Sequence, residues 1–326
     1  MLSRVANCLF WLGRYVERAE NYARFIDVNY NLSLDLPPGF PEQWQPLIAA
    51  TGDKDLYVSL HGEDFSKEQA VFFLSFQDEN PNSILSVVSK ARENARIVRE
   101  NIPRETWEAL NELHHFLKNE CDRKVWELDN PITSFNYIKS KIQQLNGIAF
   151  GSIPRYQGWY FTKMGQYLER ADKTSRILDV KYHILLPSLE EVGSPLDYLQ
   201  WNALLKSVSG YNSFRQLYQG ITPQNIISYL MLNRYFPRSV LFCLVGVEDC
   251  LHEISSSKRG FSNKAEKTTG AFRSKLEFAD VHDIFQIGLH EYLDDLQLQL
   301  NHISAAVHDQ FFKLRPNFSG QSQVQS

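Results

Sequence analysis

Val5, Leu9, Leu12, Val16, Ala19, Ala23, Ile26 and Tyr30 recur at alternating spacings of four and three, which draws one apolar stripe along a helix of some seven turns. Tyr15, Tyr22 and Phe25 add a second apolar face, so this helix is expected to be covered on more than one side. The same spacing predicts helices over 83–100, 104–118, 133–147, 195–209, 223–232, 240–254 and 280–307. Alternating β-branched runs are scarce, so the expected fold class is all-α, a multi-helix bundle. Proline-rich and polar breaks fall at 36–41, 77–81 and 187–195. The stretch 255–274 carries Lys258, Arg259, Lys264, Lys267 and Arg273 against the single acid Glu266. It reads as a mobile loop, with a docking arm for an acidic partner as the alternative. The Ser- and Gln-rich end, 316–326, reads as a disordered tail.

The stripe occurs twice. Gly13 to Tyr30 aligns without gaps on Gly165 to Tyr182 at an offset of 152, with nine of 18 positions identical. Met164, Leu168, Ala171, Ser175, Leu178 and Tyr182 repeat the apolar face, and Ala19 and Ala171 fall mid-stripe where two helices can approach closely. A shorter echo pairs Pro81-Asn-Ser-Ile-Leu85 with Pro237-Arg-Ser-Val-Leu241, both read as helix starts. An internal duplication is expected, with a first helical repeat over 1–150, a second over 151–315 and a tail over 316–326. The halves pack as one body in this reading.

Composition narrows the function classes. Of 326 residues 43% are hydrophobic and 22% charged, as in an ordinary globular chain. The formal net charge of −4 provides no basic field for nucleic acid. The longest apolar run, 240–247, is far short of the roughly 20 residues a membrane span requires. Arg14, Glu17 and Arg18 interrupt the apolar N-terminus before a secretory signal could form, so the expected location is cytoplasmic. Cys8, Cys121, Cys243 and Cys250 form no CxxC pair. No phosphate-binding glycine loop, nucleophile elbow or HExxH helix is present, and no cofactor is implied.

What remains is charge beside packing. At about 100° per residue, Arg14, Glu17, Asn21 and Arg24 share an arc of about 80° next to the apolar stripe. In the second copy Glu169, Lys173 and Arg176 occupy that arc, and Gln166 stands where Arg14 would. One reading is structural: Glu17 bridges Arg14 and Arg24 on its own helix or bonds to a facing one. The other has the two arrays facing each other as a polar pocket for an anionic or amino-acid-like ligand, since arginine's fork suits a carboxylate or phosphate. Arg238, just inside a helix start, is placed to meet such an anion. A third array, Arg92, Glu93, Arg96, Arg99 and Glu100, resembles a solvated helix face, although Ala91, Ala95 and Ile97 point to close packing nearby. The di-iron carboxylate pattern requires two Glu-x-x-His pairs. Only Glu112 with His115 qualifies, and Asp249 with His252 is the nearest second, so no metal site is expected.

The opening Met1 to Glu20, Ala91-Arg-Glu-Asn-Ala-Arg96 with Trp107 and Asn111, Met164 to Asp179, and Phe236-Pro-Arg-Ser-Val240 together resemble the bacterial alpha-E family over 1–312. The resemblance implies a helical protein whose genes lie beside, or fused to, a circularly permuted ATP-grasp protein, with transglutaminase-like proteins nearby. It implies an accessory or partner subunit of an ATP-dependent amidoligase system that makes or modifies a peptide, with a peptide or amino-acid ligand. The family's glutamates match Glu17, Glu20 and Glu169, with Asp172 in the fourth place. The candidate polar site is therefore Arg14, Glu17, Arg18, Glu20, Arg24, Glu93, Arg96, Glu169, Arg170, Asp172, Arg176 and Arg238. A catalytic bundle with a Glu general base and a purely structural interaction module stand as alternatives. Gly165-Gln166 departs from the family's usual Gly-Arg.

Overall fold

A computed structural model describes residues 1–36, 43–128, 130–184, 193–257 and 261–313; the expected tail and part of two expected breaks lie outside these. The described residues form fifteen α-helices and no strand. The chain begins with the long helix α1 (Ser3–Asp35). Three short helices follow, α2 (Trp44–Thr51), α3 (Lys54–His61) and α4 (Lys67–Ser75). They are at most nine residues long, too short for periodicity to stand out, and none was anticipated. Then come α5 (Ile84–Ile97), α6 (Arg104–Asp122) and α7 (Ile132–Ser152). The second long helix is α8 (Gln157–Ile184). It is followed by α9 (Pro195–Ser207), α10 (Tyr211–Leu217), α11 (Pro223–Ile227), α12 (Val240–Ser255), α13 (Lys264–Glu277), α14 (Val281–Ile287) and α15 (Leu289–Val307).

Helices α1 and α8 form the axis of the bundle and pack on each other along their length. Helix α5 lies on α1 as α12 lies on α8, and α7 and α15 cover further faces. A contiguous apolar core runs from Ala6 to Phe312. As the two apolar faces of α1 require, it is buried on several sides, with Ala19, Ala23 and Ile26 fully enclosed. Helices α5 and α12 start alike: Ser83 Oγ accepts from Ser86 N, and Ser239 Oγ accepts from Phe242 N.

The axial pair approaches closely at two glycines. A Cβ on Gly13 would lie 2.1 Å from the Thr162 carbonyl oxygen, and one on Gly165 would lie 2.1 Å from that of Phe10. These contacts exchange: adding 152 to Gly13 and Phe10 gives Gly165 and Thr162. Ala19 and Ala171, where close approach was expected, are buried, and the glycine contacts lie nearly two turns before them.

Three expectations need correction. The stretch 255–274 is not a loop throughout, because α13 begins at Lys264. Asn263 caps it by accepting from Glu266 N, Glu266 returns to Ser262 N, and Ala265, Thr269, Phe272 and Leu276 are buried. The helix expected over 280–307 is broken at Gly288, whose φ of 102° ends α14 before α15 starts. The helix over 223–232 loosens into a π-helical turn at Ser228–Leu232.

Candidate functional site

Where α1 crosses α8, each helix contributes a Glu-Arg dipeptide to the other. Arg170 embraces Glu17 with both faces of its fork, Nε and Nη2 each donating at 2.8 Å. Reciprocally, Arg18 donates to Glu169 from Nε at 2.5 Å and Nη2 at 3.0 Å. Both carboxylates are completely buried. Each takes one more arginine: Arg14 Nε reaches Glu169 at 2.8 Å, and Arg238 Nη1 reaches Glu17 at 2.9 Å. Lys173 Nζ stands 3.8 Å from Glu169. One turn further on, Glu20 pairs with Arg24 and Asp172 with Arg176, again at equivalent positions. Arg238 Nη2 also bonds Glu20 at 2.9 Å.

The alternative in which Glu17 bridges Arg14 and Arg24 along its own helix is not the one realised. The close glycine contact sets the facing helix near enough for interhelix bonds, and Arg14 and Arg24 find Glu169 and Glu20 instead. The Gly-Gln departure is offset from a distance. Gln166 Nε2 bonds Asn146, while Glu17, deprived of a local arginine there, receives Arg238 from the α12 start. Asn82, which stands where Arg238 does in the shorter echo, accepts from Arg18 Nη1 and ties it to Asp53. Ten of the candidate residues are thus brought into two neighbouring networks. Glu93 and Arg96 are not: they pair with each other on the exposed face of α5, with Arg92 and Arg99 against the Trp107 ring. Lys173 and Asn82 belong to the networks although they were not among the candidates; the repeat alignment for the first and the Pro-x-Ser echo for the second carried the signal. The buried Lys181, bonded to Asp197 and Gln200, had none.

Burial would push the Glu17 carboxyl up, but Arg170 and Arg238 outweigh it and hold it at about 2 against an ordinary 4.5. Glu169 follows the same logic: burial opposes ionisation, and Arg18, Arg14 and Lys173 overcome it, leaving the group below the usual carboxylate range. An unfolded chain therefore takes up protons before the folded one as pH falls. The stability these two groups contribute is complete above about pH 5 and is lost as pH drops through 4.5 toward 2. Urea denaturation from pH 7 to 2.5 is expected to show that loss, and replacing both glutamates by glutamine to flatten it. An unchanged slope in the double variant would refute the assignment.

The carboxylates are sealed, whereas two of their arginines reach cavities. Arg24 lines a cleft of about 400 Å³ between α1 and α9. Arg238 lines another of about 390 Å³ with Ser213, Tyr229, Asn233, Tyr235 and Phe236. The described residues contain one group of three side chains able to hold a metal ion, Asp179, His290 and Asp294; Glu112 and His252 are not in it. His290 Nδ1 lies 2.8 Å from Asp179, linking α8 to α15. No described helix is long and apolar enough to cross a membrane.

Fold and site together define a helical bundle clamped by reciprocal Glu-Arg pairs. The chain belongs to the Alpha-E family, described as "a predicted alpha-helical domain with a conserved ER motif" and matching residues 1–312. The chain's two Glu-Arg dipeptides are the two halves of the clamp. Uncharacterized protein Mb2597 of Mycobacterium bovis and uncharacterized protein Rv2567 of Mycobacterium tuberculosis (H37Rv) are each 23% identical over 323 residues, covering 94% of this chain and 35% of the relative. The chain thus spans about a third of the length of the curated relatives it matches. No solved structure matches it.

Proposed function

We propose that this protein is a helical accessory subunit of an ATP-grasp amidoligase system that makes or modifies a peptide, binding a peptide or amino-acid-like substrate beside the catalytic partner. One observation carries the accessory role. In its relatives this region accounts for 35% of a single longer chain, so there it is joined to further sequence, which supports a role beside a partner. The resemblance of the four motifs supplies the nature of that neighbour. The reciprocal contacts favour an origin by internal duplication of about 150 residues. In this reading the Glu-Arg clamp is architecture, and ligand contact falls to arginines at its edge, Arg24 and Arg238.

The catalytic-bundle alternative is disfavoured by geometry. A general base needs a carboxylate within reach of a substrate proton, and both glutamates are enclosed, ionised and saturated with arginine. The structural-module alternative is favoured by the same sealing and differs only in lacking a ligand. Mixing the purified protein with its neighbouring ATP-grasp protein is expected to give a complex at micromolar concentration and to change ATP consumption. Independent elution and unaltered ATP turnover would refute the subunit role.

A further inference from the structure

The cleft between α1 and α9 is lined largely by charged and amide side chains. Along α1 it is lined by Arg24, Asp27, Asn31 and Asp35, at i, i+3, i+7 and i+11, and along α9 by Asn202 and Lys206. Asp27 is neutralised by Lys139 at 2.5 Å. Asp35 and Lys206 have no ion-pair partner among the described residues. Two atoms in its walls are buried with no hydrogen-bond partner, Arg24 Nε and Asn202 Oδ1. Arg24 gives Nη2 to Glu20, and Asn202 gives Nδ2 to the Tyr198 carbonyl at 2.9 Å, so each has a bonding position to spare. Buried polar atoms are normally satisfied, and an unsatisfied pair flanking one cavity needs a reason.

We propose that this cleft binds a short zwitterionic peptide, its carboxylate received by Arg24 and Lys206, its ammonium by Asp35, and a main-chain N–H by Asn202 Oδ1. The volume of about 400 Å³ falls within the range of small-ligand sites. Arg24 and Asp35 are separated by about 16 Å of helix rise. That distance, less the reach of both side chains, suits about three extended residues rather than a single amino acid. Leu34 and Leu199 supply apolar contact between the charged ends. The proposal rests on the reading of the protein as part of a peptide amidoligase system and names where that system's peptide would sit.

Calorimetric titration of the whole protein at low salt with trialanine, N-acetyl-trialanine and trialanine amide tests it. Trialanine is expected to bind, and each blocked form to bind roughly tenfold more weakly. Lys206→Glu, at an exposed position, should keep the melting temperature and weaken trialanine roughly tenfold or more. No heat with millimolar trialanine, equal affinity for the blocked forms, or an unaffected Lys206→Glu would overturn the proposal. Binding of trialanine without association with the ATP-grasp protein would uphold the cleft and defeat the subunit role; association without peptide binding would do the reverse.

Discussion

Glu169→Gln is expected to cost about 3–5 kcal/mol of folding stability, roughly 4–7 °C in Tm. The substitution preserves shape while removing the charge and turning one acceptor into a donor, so its effect reports the polar chemistry of the clamp rather than its packing. Arg14, Arg18 and Lys173 converge on this fully enclosed carboxylate. With glutamine in its place, three cations share a neutral amide, and one of the amide's two heavy atoms is a donor aimed at donors. Glu17→Gln is expected to cost less, because two cations rather than three converge on it and one of them, Arg238, also holds Glu20. Thermal unfolding followed by circular dichroism measures both. If Glu169→Gln melted within about 3 °C of the parent, the clamp would not be structural and the catalytic reading would regain ground.

Gly165→Ala is expected to destabilise by about 3 kcal/mol or more, with Gly13→Ala similar. The added methyl would sit 2.1 Å from a carbonyl oxygen in either case, and the obstacle is backbone rather than a side chain that can turn aside. Relief requires the two axial helices to move apart, which lengthens every bond of the clamp. Gly147 and Gly151 in α7 are the contrast, since a Cβ there meets nothing within 4 Å. Gly147→Ala should therefore stabilise by about 0.5–1 kcal/mol through helix propensity alone. Chemical denaturation of the three variants decides, and equal, small effects at Gly165 and Gly147 would refute the close-approach account.

How much of this was readable in advance depended on length and on repetition. Helix α1 could be placed because 33 residues carry many turns of one stripe, whereas α2 to α4 have too few turns for a period to emerge. Helix α13 reads as a loop because lysines and arginines dominate its composition. The Asn263 to Glu266 spacing, an N-cap with an acid three residues later, is the local sign of the helix start. Most site residues were identified because they occur twice at one offset. Their partners could not be read, since a glutamate one turn from an arginine on the same helix is also able to reach a facing helix. The choice was made by the glycine contact, a property of two segments that lie 152 residues apart.

That separation has a bearing on the order in which the molecule can be assembled. The partners of Arg18 and Glu17 in α8 follow them by 151 and 153 residues, and Arg238 follows Glu17 by 221. Within this region α1 is synthesised before the segments that neutralise its buried charges. Arg170 can pair Glu17 once α8 exists, but the second arginine of that carboxylate comes only with the α12 start, and burial without it leaves the site incompletely compensated. Completing the Glu17 site therefore needs a residue that is synthesised well after both axial helices.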